Sequence, residues 1–151
     1  MAKRDPVREI AENCIAVRVR MLNRVVTGVC DAGLREHGIS VAQVNLLVAV
    51  GHAGPLTPTD LAAALVLDKS TLSRDVTALL GNGWLRKTAG DDKRRHTLEL
   101  TEAGRDQLVS LLPAWRAAQA ELRQRRGAEA LAGLFAGADR VWQEPHAETD
   151  E

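Results

Sequence analysis

The chain has 151 residues, enough for one domain and its core but short for two independently stable ones. Apolar residues make up 45% and charged residues 26%, which excludes a disordered chain; 20 basic against 20 acidic residues cancel, so any attraction for nucleic acid has to come from local patches. Two cysteines cannot build a disulfide framework, and neither a signal peptide nor an apolar span of membrane length is evident, so a cytoplasmic location without membrane contact is expected.

Only 3% of residues are aromatic, with no Tyr and one Phe, a composition that packs helices through Ala, Leu and Val. After Pro6, the residues Ile10, Cys14, Val17, Met21, Val25 and Val29 recur every three or four positions, the spacing of one helical face, and Gly38 is its stop. Ile15, Leu22 and Val26 widen that stripe beyond the need of one packing partner, so a single long helix touching two surfaces is expected, one of them a second subunit. Ser40 with Gln43 has the spacing of a capping box, and Val44, Leu47 and Val48 supply a buried face before Gly51, Gly54 and Pro55. Thr57 followed by Pro58, with Asp60 at the third helical position, opens a very short third helix carrying Leu61, Ala64 and Leu65. Asp68 then caps a fourth, whose inward face is Leu72, Val76, Leu79 and Leu80 and which ends in Gly81, Asn82 and Gly83.

From Trp84 the pattern changes. Residues 84–88 read as a strand, residues 89–95 as a polar tip, and His96–Leu100 alternates polar with apolar, so a hairpin is expected. Thr101 restarts helical periodicity through Leu108, Leu111, Leu112, Trp115 and Leu122. Gly127 divides that helix from a last one with Leu131, Leu134, Phe135, Ala138 and Val141.

Three short helices and a hairpin, with only Val66 and Leu67 between the third and fourth helices, have the order and spacing of a winged helix-turn-helix. The fold class is therefore mainly α with a small β-hairpin wing. Opposite its leucines the fourth helix carries Lys69, Ser70, Thr71, Ser73, Arg74 and Thr77. Arg can bond a guanine edge twice, hydroxyls reach bases or phosphates, and a Thr methyl can touch thymine. Any exposed helix face is polar, so the helix alone does not decide; the wing does. Arg86, Lys87, Asp91, Asp92, Lys93, Arg94 and Arg95 put five cations against two anions within ten residues of a neutral chain.

At residues 92–101, reading Asp-Lys-Arg-Arg-His-Thr-Leu-Glu-Leu-Thr, the chain resembles the MarR family of bacterial regulators, whose wing motif is Asp-x-Arg, an alternating strand, and Leu-Thr opening the next helix. The resemblance implies that Arg94 enters the minor groove with Asp92 fixing its guanidinium, and that the partners are double-stranded DNA and a second copy of the chain. It also implies the organisation of one structural unit: residues 1–38 an N-terminal dimerisation helix, 39–100 the DNA-binding winged helix-turn-helix, 101–143 the C-terminal dimerisation helices, and 144–151 an acidic tail. The function implied is that of a homodimeric repressor on a pseudo-palindromic operator, released by a small aromatic or anionic effector or by thiol oxidation.

For that control, Cys14 lies near where the peroxide-sensing branch of the family places its reactive cysteine, with Arg18 as the cationic neighbour. That branch surrounds the thiol with tyrosines, which this sequence lacks, and a Cys on an apolar stripe reads as a small buried hydrophobe. Trp84 and Trp115 are candidates to border an effector cavity, with Arg18 or Arg24 as counter-charge, against the plainer role of core packing. Cys14 and Cys30 are too far apart around a helix for a disulfide, and His37, His52, His96 and His146 show no metal-ligand spacing, so neither metal nor cofactor is expected. No nucleophile and base grouping, phosphate-cradling glycine loop or carboxylate pair suggests an enzyme. A winged helix that binds only protein would not need the basic wing.

Overall fold

The computed structural model describes residues 5–89 and 95–143, so the expectations for Asp92, Lys93 and Arg94 at the wing tip and for the acidic tail lie outside the described residues. Within them the fold is mainly helical with one antiparallel hairpin, as expected.

The first expected helix is two. Helix α1 (Pro6–Asn13) starts at Asp5, whose carboxylate accepts the Val7 amide, and ends at Cys14, which turns extended (φ −70°, ψ 110°) before α2 (Ile15–Leu34). Neither Pro nor Gly marks this break. The carbonyls that it strands are taken by Arg18, whose guanidinium donates to the oxygens of Cys14 at 2.9 Å, Glu12 at 2.6 Å and Ala11 at 3.3 Å. One extended residue leaves the apolar periodicity on either side intact, which is why the pattern reads as continuous. Cys14 consequently sits half-buried at a bend and not inside an apolar stripe.

A 3-10 turn (Arg35–His37) and Gly38 in the left-handed region (φ 65°) lead into α3 (Val41–Ala53), the central element. Its start is the expected capping box: the Gln43 amide donates to Ser40 Oγ and the Ser40 amide to Gln43 Oε1, both at 3.2 Å. The buried residues are Val44, Leu46, Leu47 and Val50; Val48, expected inside, is 50% exposed. The difference arises because α3 is enclosed by several elements and packs by more than one face.

Around α3 gather α4 (Pro58–Ala64), capped by Thr57, and α5 (Lys69–Gly81), capped by Asp68. Leu34, Leu46, Leu47, Leu61, Leu79 and Leu98 are all but inaccessible to solvent and form one cluster with their neighbours. Each fully buried aliphatic side chain contributes about 1.5–3 kcal/mol relative to exposure.

The strands β1 (Leu85–Ala89) and β2 (His96–Leu100) pair with Leu85 opposite Leu100 and Ala89 opposite His96, so the first strand begins one residue later than expected. Leu98 also exchanges both backbone hydrogen bonds with Leu56 (3.1 and 2.7 Å), pinning the wing to the loop before α4. Thr101 caps α6 (Glu102–Arg126) by accepting the Gly104 amide, and its hydroxyl lies against the carbonyls of Gly83 and Trp84. A Cβ on Gly104 would collide with the Trp84 carbonyl oxygen, so the wing motif closes onto α6 only if that residue is glycine. Helix α6 runs closely along α2, where Gly33 faces Ala118, and Gly127 (φ 82°) separates it from α7 (Ala128–Gln143).

Candidate nucleic-acid interface

Helix α5 is held by Leu72, Val76 and Leu79, which enter the core, and that anchorage leaves Lys69, Ser70, Thr71, Ser73, Arg74 and Thr77 exposed together. At its start, the Asp68 carboxylate accepts the Ser70 hydroxyl (2.6 Å), the Thr71 amide (2.8 Å) and the Thr71 hydroxyl (3.0 Å). These bonds, that of Ser70 foremost, favour the ionised carboxylate and hold it at about 2, below the usual 3.8. Ser70 and Thr71 therefore do two jobs: their hydroxyl protons serve the cap, and only their oxygens and the Thr71 methyl remain for a ligand. The Thr77 hydroxyl likewise donates back to the Ser73 carbonyl (2.8 Å), leaving its methyl as the group available to a thymine.

Along the turn before α5, Leu67 donates its amide to Ala62 (2.9 Å) and Val66 its amide to Ala63 (3.2 Å), the paired bonds of a Schellman ending for α4. The left-handed residue in that ending is Val66 (φ 53°), where glycine is the residue without strain. The same pair of bonds ends α5, from Trp84 to Leu79 and Gly83 to Leu80, with glycine at the left-handed position (φ 73°).

The two neighbouring cations of β1 part company. Arg86, opposite Glu99 in the register, donates to that carboxylate at 2.7 Å through Nε and 2.6 Å through Nη2, bracing the outer face of the hairpin. Lys87 lies on the other face, with Leu85, His96 and Leu98, and lines a cleft of about 280 Å³ between wing and α5 together with Lys69, Ser73, Thr77 and His96. An adjoining cleft of about 370 Å³ is bordered by Thr57, Asp60, Arg95 and His96. The structure thus gathers Lys69, Ser73, Thr77 and Lys87 and commits Arg86 to an ion pair. His96 was missed as a site residue; counting strand alternation back from buried Leu98 places it beside Lys87.

The effector and redox candidates do not converge. Arg18 is occupied with the α1 carbonyls, Trp115 is a partly exposed residue of α6, and Trp84 packs against the core cluster. A cavity of about 600 Å³ between α2 and α6 is lined by Arg24, Val25, Gly28, Ala114, Ala118 and Glu121, among others, but by neither Arg18 nor Trp115. Cys30 is buried, with Gln119 Nε2 at 3.9 Å, and burial followed by the charge of Asp31 pushes its thiol pKa up, away from thiolate reactivity. Among the described residues no group of three or more His, Cys, Asp or Glu is placed to hold a metal ion, and no helix is long and apolar enough to cross a membrane.

This arrangement has relatives. Residues 37–95 match the model of the MarR family. The chain is 27% identical over 79 residues to YwoH of Bacillus subtilis, an HTH-type transcriptional regulator, which covers 52% of this chain and 58% of the relative. The chain spans about half the length of the curated relatives it matches. In fold it is similar to a cysteine-to-serine mutant of E. coli MarR complexed with operator DNA, with TM-score 0.77, 24% identity and coverage of 91% of this chain and 98% of that one. It is similar as well to the M. tuberculosis regulator MosR in complex with DNA, with TM-score 0.68, 28% identity and coverage of 85% and 98%. The matched segment runs from the end of the 3-10 turn to the residue before β2, so the likeness to the MarR family model spans the helix-turn-helix and the first strand of the wing.

Proposed function

We propose that the chain is a DNA-binding transcriptional regulator that works as a homodimer on a pseudo-palindromic operator and represses from it. One observation carries this reading: the exposed polar face of α5 and the cationic cleft beside it are held rigidly by buried leucines and by the Leu56 and Leu98 bridge. Helix α5 enters the major groove, where Arg74 reads a base edge and Ser73 and Thr77 flank it; Lys69 and Lys87 take phosphates. Arg94, oriented by Asp92, enters the minor groove, and Lys93 and Arg95 add phosphate contacts. Two copies present their recognition helices about 34 Å apart, one DNA turn. The apolar residues left exposed on α1, α2 and α7 support the dimer.

Binding of variants to a selected operator and to a mixed-sequence duplex tests the assignment. Arg94→Ala weakens both alike, whereas Arg74→Ala costs about 1–3 kcal/mol on the operator and little on the mixed duplex. Unchanged affinity in both variants defeats the proposal.

Release is by a small aromatic or anionic effector, for which Arg24, which lines the α2 and α6 cavity, is the counter-charge that the geometry supports better than Arg18. If a thiol contributes, it is half-buried Cys14 at the α1 and α2 bend and not Cys30. A thiol reagent then labels Cys14 first, and oxidant releases DNA from the parent but not from Cys14→Ser; equal release in both removes Cys14 from the mechanism.

A further inference from the structure

Between α5 and the wing, the cleft lined by Lys69, Lys87 and His96 has an apolar floor of Leu72, Val76 and Leu80 and, among the described residues, no acidic side chain in its lining. Three groups able to carry positive charge converge there from three elements in a chain with no net charge, and Ser73 and Thr77 add hydroxyls at the rim. His96 borders this cleft and the neighbouring one, because the strand pairing puts it on the same face as Lys87 and the Leu56 bridge draws β2 against Pro58 and Thr59.

From this geometry, and resting on the DNA-binding reading above, we infer that the cleft seats a phosphate of the DNA backbone and that His96 makes the seat pH-responsive, so that duplex affinity rises as pH falls through neutrality. Histidine is the side chain whose charge ordinarily changes between about pH 5 and 8. The groups facing His96 are Lys69 from α5, Lys87 from β1, Asp60 from α4 and Arg95 beside it in the chain. Among the described residues these are the charged groups around the ring, and the Asp60 carboxylate is itself engaged by the Thr57 hydroxyl at 2.7 Å. A phosphate entering the cleft adds negative charge next to the ring, which favours the charged imidazolium, so DNA binding and proton uptake are linked. Protonation also adds one cation to the phosphate contacts, which steepens the salt dependence by a countable amount.

The test uses the full chain and a fluorescein-labelled, mixed-sequence duplex of about 30 base pairs, long enough for two half-sites one turn apart. Affinity is measured at about pH 6 and about pH 8 over a salt series. The expected result is binding about three- to tenfold tighter at the lower pH, with the logarithmic salt slope steeper by about 0.9 per bound subunit. His96→Gln, exposed and therefore tolerated, flattens the pH response and removes the difference in slope. His52→Gln, whose residue does not line the cleft, keeps both. A His96→Gln protein that retains the pH response overturns the inference, as does a wild-type slope that is the same at both pH values. Absence of duplex binding at either pH defeats the DNA-binding reading itself, an outcome distinct from binding that ignores pH.

Discussion

Leu47 and Phe135 are both large apolar residues in the middle of helices, yet Leu47 is fully buried and Phe135 is 55% exposed. The contrast extends to whole regions. From Leu34 to Leu111 the helix-turn-helix and wing close one core around α3, whereas α1 buries nothing and Val7, Ile10, Ile15 and Met21 stand more than 60% exposed. Packed residues gain their stabilisation within the chain; the flanks bury only a few side chains, such as Cys30, Ala118 and Leu122 where α2 meets α6, and leave many of the same kind exposed. Contiguous apolar stripes of that kind mark a surface for a partner, and under the proposed function the partner is a second copy. The largest test sets the two regions side by side. Leu47→Ala lowers unfolding free energy by about 2–5 kcal/mol at any protein concentration. Phe135→Asp leaves the winged-helix core intact and shifts the equilibrium toward monomer, so its thermal midpoint loses the dependence on protein concentration that a dimer shows. Equal destabilisation by both at every concentration would erase the distinction between regions.

Gly104 probes the seam where the packed region passes into the flanking α6. Because the Trp84 carbonyl oxygen occupies the space that a Cβ at this position needs, Gly104→Ala cannot be absorbed by rotating a side chain, and backbone has to shift. A loss of about 1–3 kcal/mol in chemical denaturation is expected, together with weaker DNA binding because the wing hangs from the same carbonyl. A neutral substitution would mean that wing and α6 are not rigidly joined.

Much of this was legible in the sequence because its signals are local. Ser40 with Gln43, Thr57 before Pro58, Asp68 and Thr101 each cap the helix that they announce, and the strand alternation around Leu98 names the buried side of the wing. What escaped depends on partners distant in the chain or on a single backbone angle. The bend at Cys14 is one extended residue, stabilised by Arg18 reaching back, and leaves no composition change behind. Arg86 looked like a DNA contact until the hairpin register placed Glu99 opposite it. His96 directly follows the basic run, and although alternation from Leu98 gives its face, the cleft that it shares with Lys69 and Lys87 exists only once the wing packs beside α5.

A finer comparison separates the two ends of the helix-turn-helix. Helices α4 and α5 finish with the same pair of hydrogen bonds, but Gly83 takes the left-handed position at one and β-branched Val66 at the other. Left-handed backbone costs an ordinary residue about 1–2 kcal/mol, against about 0.4–1 kcal/mol for the extra freedom glycine has when unfolded. Val66 is 63% exposed, so its removal sacrifices little burial. Val66→Gly should therefore raise stability by about 0.5–1 kcal/mol, while Gly83→Ala lowers it by about as much; calorimetry of both proteins decides. If Val66→Gly is the destabilising one, the valine side chain contributes packing that offsets its strain.

The smallest effect concerns Asp68, which keeps the exposed helix α5 attached to a packed region. Its carboxyl titrates at about 2 in the folded chain against an ordinary 3.8. A depressed value means that the ionised form is the one the fold prefers, so the cap's contribution is complete above about pH 4 and disappears as the pH falls toward 2. Asp68→Asn keeps a capping oxygen but has no proton to take up. The variant should consequently melt slightly below the parent at neutral pH and converge on it near pH 2, with the gap closing inside that acid window. Parallel melting curves across the window would show that the carboxylate charge adds nothing to the cap. Helix α5 would then be held by Leu72, Val76 and Leu79 alone, and the packed region would end at its own leucines.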